Sequence, residues 1–228
     1  MNEFINILPT LLLTLKLGFL TTILLLLLVF PISYILVFSN INKEIKILLE
    51  IILTLPLILP PTVLGFYLLI LLNQNGLIGK IIYFLTNKTI LFRFEGILLA
   101  SIIFSFPFML QPILSSIKTF PKILLETSYI LGKSKLYTFI NVIIPNIKTS
   151  IISGIILSFA HTLGEFGIIL MVGGSIENET KVMSIAIYEE VQLLNYKLAN
   201  FYSLILLITS ILLLYIFYKI NIKKNELF

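Results

Sequence analysis

Ile23-Leu-Leu-Leu-Leu-Leu-Val-Phe30 sits inside a longer apolar run, residues 10–38, whose single charged side chain is Lys16. The run lacks the strict alternation and the roughly 10-residue length of a membrane strand. In hydrocarbon each backbone polar group has to be satisfied within its own segment, so continuous Leu and Ile predict an α-helix. About 20 apolar residues cross a ~30 Å hydrocarbon slab. Four more stretches reach that length, at residues 48–72, 96–117, 149–172 and 201–220. The sequence therefore predicts an all-α integral membrane protein, with five helices in one transmembrane domain whose core covers about residues 10–220.

Composition points the same way. A mean hydropathy of +1.09, with 58% hydrophobic and 12% charged residues, is too apolar for one soluble core of 228 residues. The first run is expected to stay in the mature chain: residues 1–9 carry Glu3 and no Lys or Arg, and no small-residue cleavage site follows. Without cysteine there are no disulfides or thiolate metal sites.

Basic residues orient the chain, because Lys and Arg collect in short cytoplasmic loops. With the N-terminus outside and the C-terminus in the cytoplasm, the inner segments hold ten: Lys43, Lys46, Lys118, Lys122, Lys133, Lys135, Lys148, Lys219, Lys223 and Lys224. The outer loops hold five: Lys80, Lys88, Arg93, Lys181 and Lys197. Lys16, in the first helix, and Glu50, near the inner end of the second, are read as interfacial anchors. The net charge of +5 is thus a topology signal and predicts no nucleic-acid partner.

The longest inner segment, residues 118–148, breaks the hydrocarbon pattern. Pro121 suits the first turn of a helix and Gly132 the position just past its end, which predicts a short helix over 121–131. Lys122, Glu126, Tyr129 and Lys133 share one face, and Ile123, Leu124, Leu131 and, in part, Ile130 lie away from it. Too short to span, such a helix lays its apolar face on a partner or on the lipid surface. The outer loop after the second run contains a short apolar piece at 81–85. The outer segment 173–200 contains an amphipathic stretch at 182–194, which is assigned no chemistry.

Glu126-Thr127-Ser128, then Gly132, then Val142-Ile-Ile-Pro145 resembles the cytoplasmic signature of ABC-importer permeases, Glu-Ala-Ala, three residues, Gly, nine residues, Ile-x-Leu-Pro. The chain departs from it at Thr127, Ser128, Val142 and Ile144. Leu55-Pro56-Leu-Ile-Leu-Pro60-Pro61-Thr-Val-Leu-Gly65, Leu163-Gly164-Glu165-Phe166-Gly167 and Ser184-Ile-Ala-Ile-Tyr188-Glu-Glu-Val-Gln192 narrow the resemblance to the membrane subunits of molybdate importers, although sulfate and thiosulfate permeases share the Leu-Gly-Glu-Phe-Gly element. The resemblance covers nearly the whole chain. It implies a type I ABC-importer permease fold in a prokaryotic cell membrane, a homodimeric pore, two cytoplasmic ATPase subunits that bind ATP and Mg, and an external binding protein. Glu126, Thr127, Ser128, Gly132, Val142 and Pro145 would then form the ATPase-coupling segment. Tungstate or sulfate is the alternative cargo, and a secondary transporter the more distant alternative.

Pro56, Pro60 and Pro61 must kink or break the second run. Two readings stand open for them: a packing kink, or a bent pore-lining segment. His161 and Glu165, four apart, are ionisable groups in apolar surroundings, with Gly164 and Gly167 beside them allowing close backbone approach. A structural hydrogen-bonded pair and a translocation-path role are both open. The resembling permeases usually carry arginine where this chain has His161. Gly132-Lys133-Ser134 looks like the end of a P-loop, but that motif needs a glycine where Thr127 stands. Neither catalysis nor a bound metal is expected of this chain.

Overall fold

A computed structural model describes residues 7–225, with side chains for 7–219, and all regular structure among them is helical. Residues 1–6, including Glu3, and the side chains of Lys223 and Lys224 lie outside the described part. Among the described residues three helices are long and apolar enough to cross a membrane, and up to five spans result if each of two bent helix pairs counts as one.

The first span is α1, Ile7–Phe38. Thr14 and Thr22 donate to the carbonyls of Thr10 and Gly18, four residues back, which hides their hydroxyls within the helix. The second run is broken outright. α2, Lys43–Thr54, ends in a 3₁₀ turn at Leu55–Leu57, and α3, Pro61–Leu72, starts afresh after Pro60. Two adjacent residues without N–H groups stop the helix ladder, and Pro61 suits the first position of the next helix. The two segments meet at 111°.

A loop helix follows, α4, Leu77–Thr86, longer than the five-residue piece expected. The central span is α5, Phe94–Lys118. Beyond it come α6, Lys122–Ile130, and α7, Lys135–Thr138, then a π-turn at Phe139–Ile143 and α8, Ile144–Asn146. α9, Lys148–Leu163, leaves that junction at 73°. The run 149–172, expected as one helix, instead ends at Leu163 and resumes as α10, Gly167–Gly173. Gly164 closes α9 with its N–H on the Ala160 and His161 carbonyls. The amphipathic stretch near residue 182 is α11, Met183–Gln192, and the last span is α12, Tyr196–Asn225.

α5 is the hub. It packs against α9, α1 and α10, and its most apolar window is 61% buried, against 6% for α12. One core cluster joins α1, α5 and the π-turn through Leu25, Met109, Ile113 and Ile143. A second joins α1, α3, α5 and α10 through Leu17, Leu68, Ile97 and Ile168. Glycines set the closest approaches. A Cβ on Gly154 would lie 3.1 Å from the Met109 carbonyl of α5, and one on Gly65 2.8 Å from Met171 Cβ of α10. The outward faces of α1 and α12, with Leu12, Ile23, Leu27, Leu207 and Ile211, remain exposed hydrocarbon.

The segment from α10 to α11 is tied down by polar bonds. Thr180 Oγ1 donates to the Gly173 carbonyl (2.7 Å) and accepts from the Ile176 N–H (3.0 Å). Thr14 of α1 accepts from the first N–H of α11, at Met183 (2.9 Å). Lys181 pairs with Glu189 at 2.7 Å. Of the two expected anchors, Lys16 lies over the Phe94 ring at 4.3 Å, and Glu50 takes an ion pair from Lys118 at the start of the α5–α6 turn.

Candidate functional site

The breaks in the second and fourth runs face each other. A Cβ on Gly167, the first residue of α10, would lie 3.1 Å from Pro61 Cβ, at the start of α3. Between them opens a cavity of about 590 Å³ lined by Pro61, Thr62, Phe104, Ala160, His161, Gly164, Glu165, Phe166 and Gly167. Five of the seven residues singled out as pore or gate candidates meet there. Pro56 is buried in the 3₁₀ turn, and Pro60 is the exposed cap of α3; neither lines the cavity. Gly167 does permit close backbone approach. Gly164 does not: a Cβ there would meet only its own helix's carbonyls, at 3.8 Å and beyond.

His161 and Glu165 do not form the pair that their spacing suggests. The helix ends at Leu163, so Glu165 falls beyond it and the four-residue register is lost. His161 instead turns to α5: its Nδ1 lies 3.0 Å from Ser105 Oγ, which lies 3.0 Å from Thr162 Oγ1, which donates to the Ser158 carbonyl at 2.8 Å. The ring stacks on Phe108 (centroids 3.9 Å) and tilts against Phe104 (4.8 Å). Glu165 is 4% exposed. Its main-chain carbonyl accepts from Ser184 Oγ at 2.6 Å, while its carboxylate oxygens complete no hydrogen bond of ordinary geometry, with Ser101 the hydroxyl beside them. An irregular backbone at membrane depth is stable where it lines a cavity or is buried in protein, and here the break does both.

The second candidate region is α6. Gly132 takes φ +70° and ends the helix in a Schellman arrangement: its N–H bonds the Tyr129 carbonyl and the Lys133 N–H bonds the Ser128 carbonyl. Pro121 caps the helix and Lys122 opens it, one residue later than expected. Ser128 points inward to Thr138 of α7 (2.8 Å), and Thr127 bonds back to the Ile123 carbonyl. Glu126 and Thr127 are exposed, and so are Ile123 (70%), Ile130 (85%) and Leu131 (69%). Burial, then the Tyr34 phenol, pushes the Tyr129 phenol above its ordinary range, which keeps it a neutral donor on the α6 surface. Val142 is half-buried in the π-turn. Pro145 removes the N–H that would bond Asn141, and the ring widens so that Ile144 N–H reaches the Phe139 carbonyl instead.

Ser101, Ser105, Thr162, Phe104, Phe108 and Thr138 complete these two regions without having been singled out in the sequence. The serines and threonines read as ordinary polar breaks in apolar helices. The sequence signal for a shared polar face is the helical spacing of Ser158, His161 and Thr162, with Ser101 and Ser105 four apart on α5.

The chain matches the family model described as binding-protein-dependent transport system inner membrane component over residues 29–224. It is 37% identical over 207 residues to the molybdenum transport system permease protein ModB of Azotobacter vinelandii, covering 91% of both chains. It is 35% identical over 198 residues to the Probable sulfate transport system permease protein cysT of Helicosporidium sp. subsp. Simulium jonesii, covering 87% of this chain and 72% of that one. Among solved structures it superimposes on a bacterial ABC transporter involved in the import of the acidic polysaccharide alginate, with a TM-score of 0.75, 16% identity, and coverage of 98% of this chain and 83% of the other. That likeness places the helices in an ABC-permease fold, and the chain belongs to the family of binding-protein-dependent transport inner membrane components.

Proposed function

We propose that this chain is the pore-forming subunit of an ATP-driven importer whose cargo is molybdate. The observation that carries the reading is α6: a short helix, closed by a left-handed Gly132, that turns Ile123, Ile130 and Leu131 away from its own bundle. Apolar side chains left open beside Glu126 suit a groove on another protein. The cargo rests on the extent of likeness to the Azotobacter permease.

In this reading two copies enclose the path, since closed two-fold assembly is the commonest oligomeric solution. Two ATPase subunits, holding ATP and Mg, seat α6 on the cytoplasmic side. A binding protein delivers the anion from outside, where the N-terminus lies. ATP closes the ATPase pair, displaces α6 and exchanges one packed arrangement of the bundle for another. The cavity between α3 and α10 belongs to the path and holds cargo weakly, because every ~1.4 kcal/mol of extra affinity slows escape about tenfold.

Reconstitution of the chain with its neighbouring ATPase and binding protein tests this. Uptake of labelled molybdate should need ATP and survive collapse of the membrane potential; loss on collapse of the potential, with ATP present, would favour an ion-driven secondary transporter. The sulfate-permease likeness supports the second cargo reading, and excess sulfate that abolishes molybdate uptake would favour it. A cysteine at position 126 that crosslinks only from the outer face would overturn the proposed orientation.

A further inference from the structure

The hydrogen-bond chain at His161 has a direction. Thr162 Oγ1 carries one hydrogen, donated to the Ser158 carbonyl. Its contact with Ser105 Oγ is therefore bonded only if Ser105 donates. Ser105, its single hydrogen so used, can meet His161 Nδ1 at 3.0 Å only as acceptor. The opposite assignment sets two oxygen lone pairs against each other at 3.0 Å. Nδ1 thus holds a proton in every state that keeps the chain intact. The other ring nitrogen, Nε2, takes part in none of the hydrogen bonds among the described residues, and His161 lines the cavity. A neutral ring protonated at Nδ1 has only a lone pair at Nε2, which repels an oxygen of an anion. The imidazolium has an N–H there, and donates.

We infer that His161 is a conditional anion contact: it binds an oxyanion in the cavity through Nε2–H when the ring is doubly protonated and opposes it when the ring is neutral, with Ser105 as the residue that enforces this choice. The inference rests on the importer reading above and adds a regulated contact to it. Among the residues lining the cavity Glu165 is the other titratable group. Glu95 and Lys118 stand at the two ends of α5, the latter paired with Glu50. Lys16 of α1 lies over Phe94 and Tyr34 packs on Phe139, and among the described side chains of α12 neither the tyrosines nor Lys197 and Lys219 line the cavity. The carboxyl oxygens of Glu165 are buried away from the cavity, so the imidazolium is the one charged group that the lining offers to an anion.

The test is ATP-driven molybdate uptake by the reconstituted complex across about pH 4.5 to 8, reaching below the ordinary histidine range because a ring packed against Phe104 and Phe108 is costly to charge, with ATP hydrolysis recorded in parallel as the assembly control. Wild-type uptake should decline as pH rises, approaching about tenfold per pH unit above the midpoint. His161→Arg, charged throughout, should flatten the profile to within about twofold, and His161→Gln, which offers a neutral N–H at all pH values, should flatten it at a lower rate. Ser105→Ala frees the neutral ring to place its proton on Nε2, so uptake should recover at the alkaline end and the slope should become shallower; a merely structural role would lower uptake equally at every pH. The slope is compared rather than the amplitude, and His161→Gln decides the matter if His161→Arg fails to assemble. A wild-type profile that is flat, or that persists unchanged in the assembled variants, overturns the inference and leaves the importer reading standing. A complex that hydrolyses ATP yet moves neither molybdate nor sulfate at any pH overturns the importer reading, and the inference with it.

Discussion

The strap from α10 to α11 and the arm built on α6 both interrupt the helical bundle, and they use their side chains in opposite ways. In the strap, Ile168, Ile169, Val172, Met183 and Ile185 are fully buried, and Thr180 and Thr14 satisfy backbone groups that would otherwise lack partners. In the arm, Ser128 and Leu125 turn inward and most of the remaining surface is open. The two glycines show the contrast best. Gly173 is a glycine because there is no room, whereas Gly132 is one because of its backbone angle, with nothing within 4 Å of a would-be Cβ. Packing fixes the strap's shape, and the arm's shape comes from its own caps, leaving its surface available.

The sharpest way to break this contrast is Gly173→Val. Its Cβ would fall 2.3 Å from Ile97 Cγ2 and 3.1 Å from Thr180 Cβ, so overpacking should cost about 3 kcal/mol and lower the unfolding midpoint of the detergent-purified protein; an unchanged midpoint would show that the strap is looser than described. Gly132→Val meets no neighbour but must hold a left-handed backbone, which costs roughly 1–2 kcal/mol. The protein should still insert, while uptake is lost because the helix end no longer closes. Wild-type uptake in that variant would contradict the docking role.

Smaller effects sharpen the comparison. Burial alone would push the Glu189 carboxyl up, but the Lys181 bond and charge prevail and hold it below its ordinary value. Burial likewise pulls Lys181 down, and its bonds and charges from Glu189 and Glu177 prevail to raise it. The carboxylate's share of stability is therefore present at neutral pH and lost as pH falls through the lowered Glu189 pKa; the lysine's share disappears only as pH rises through its raised one. The pair is partly exposed, so Lys181→Met should cost under about 1 kcal/mol and make the unfolding midpoint less sensitive to acid. Least disturbing to the fold is Ile130→Asp, at a residue 85% exposed, which should change stability by no more than about 0.5 kcal/mol and yet weaken copurification of the proposed ATPase partner.

Much of this was legible before any coordinates. Apolar length marked the spans, the Pro60–Pro61 pair announced a stop, and Gly132 marked the end of α6, because each is a local rule of backbone hydrogen bonding. The break at Gly164–Phe166 was not legible, since Leu-Gly-Glu-Phe-Gly contains no proline and apolar residues continue on both sides. That miss carried another with it: a pairing of His161 with Glu165 presumes a continuous helix, and the helix stops two residues short. Nor could the Ser105 contact be read, as it joins positions 56 residues apart through the packing of α5 on α9.

The widened ring at Phe139–Ile143 also has a steric consequence. Successive residues of an α-helix advance by about 100°, and the wider π-turn advances less per residue, so its five residues complete about the rotation that four would complete in an α-helix. Deleting one residue from that stretch should therefore let the ring close to ordinary helix geometry while Glu126 and Ile130 keep their compass bearing and every span remains intact. The junction is a slack link that absorbs a residue, so a chain shortened by one at this point should still present the same side of the arm.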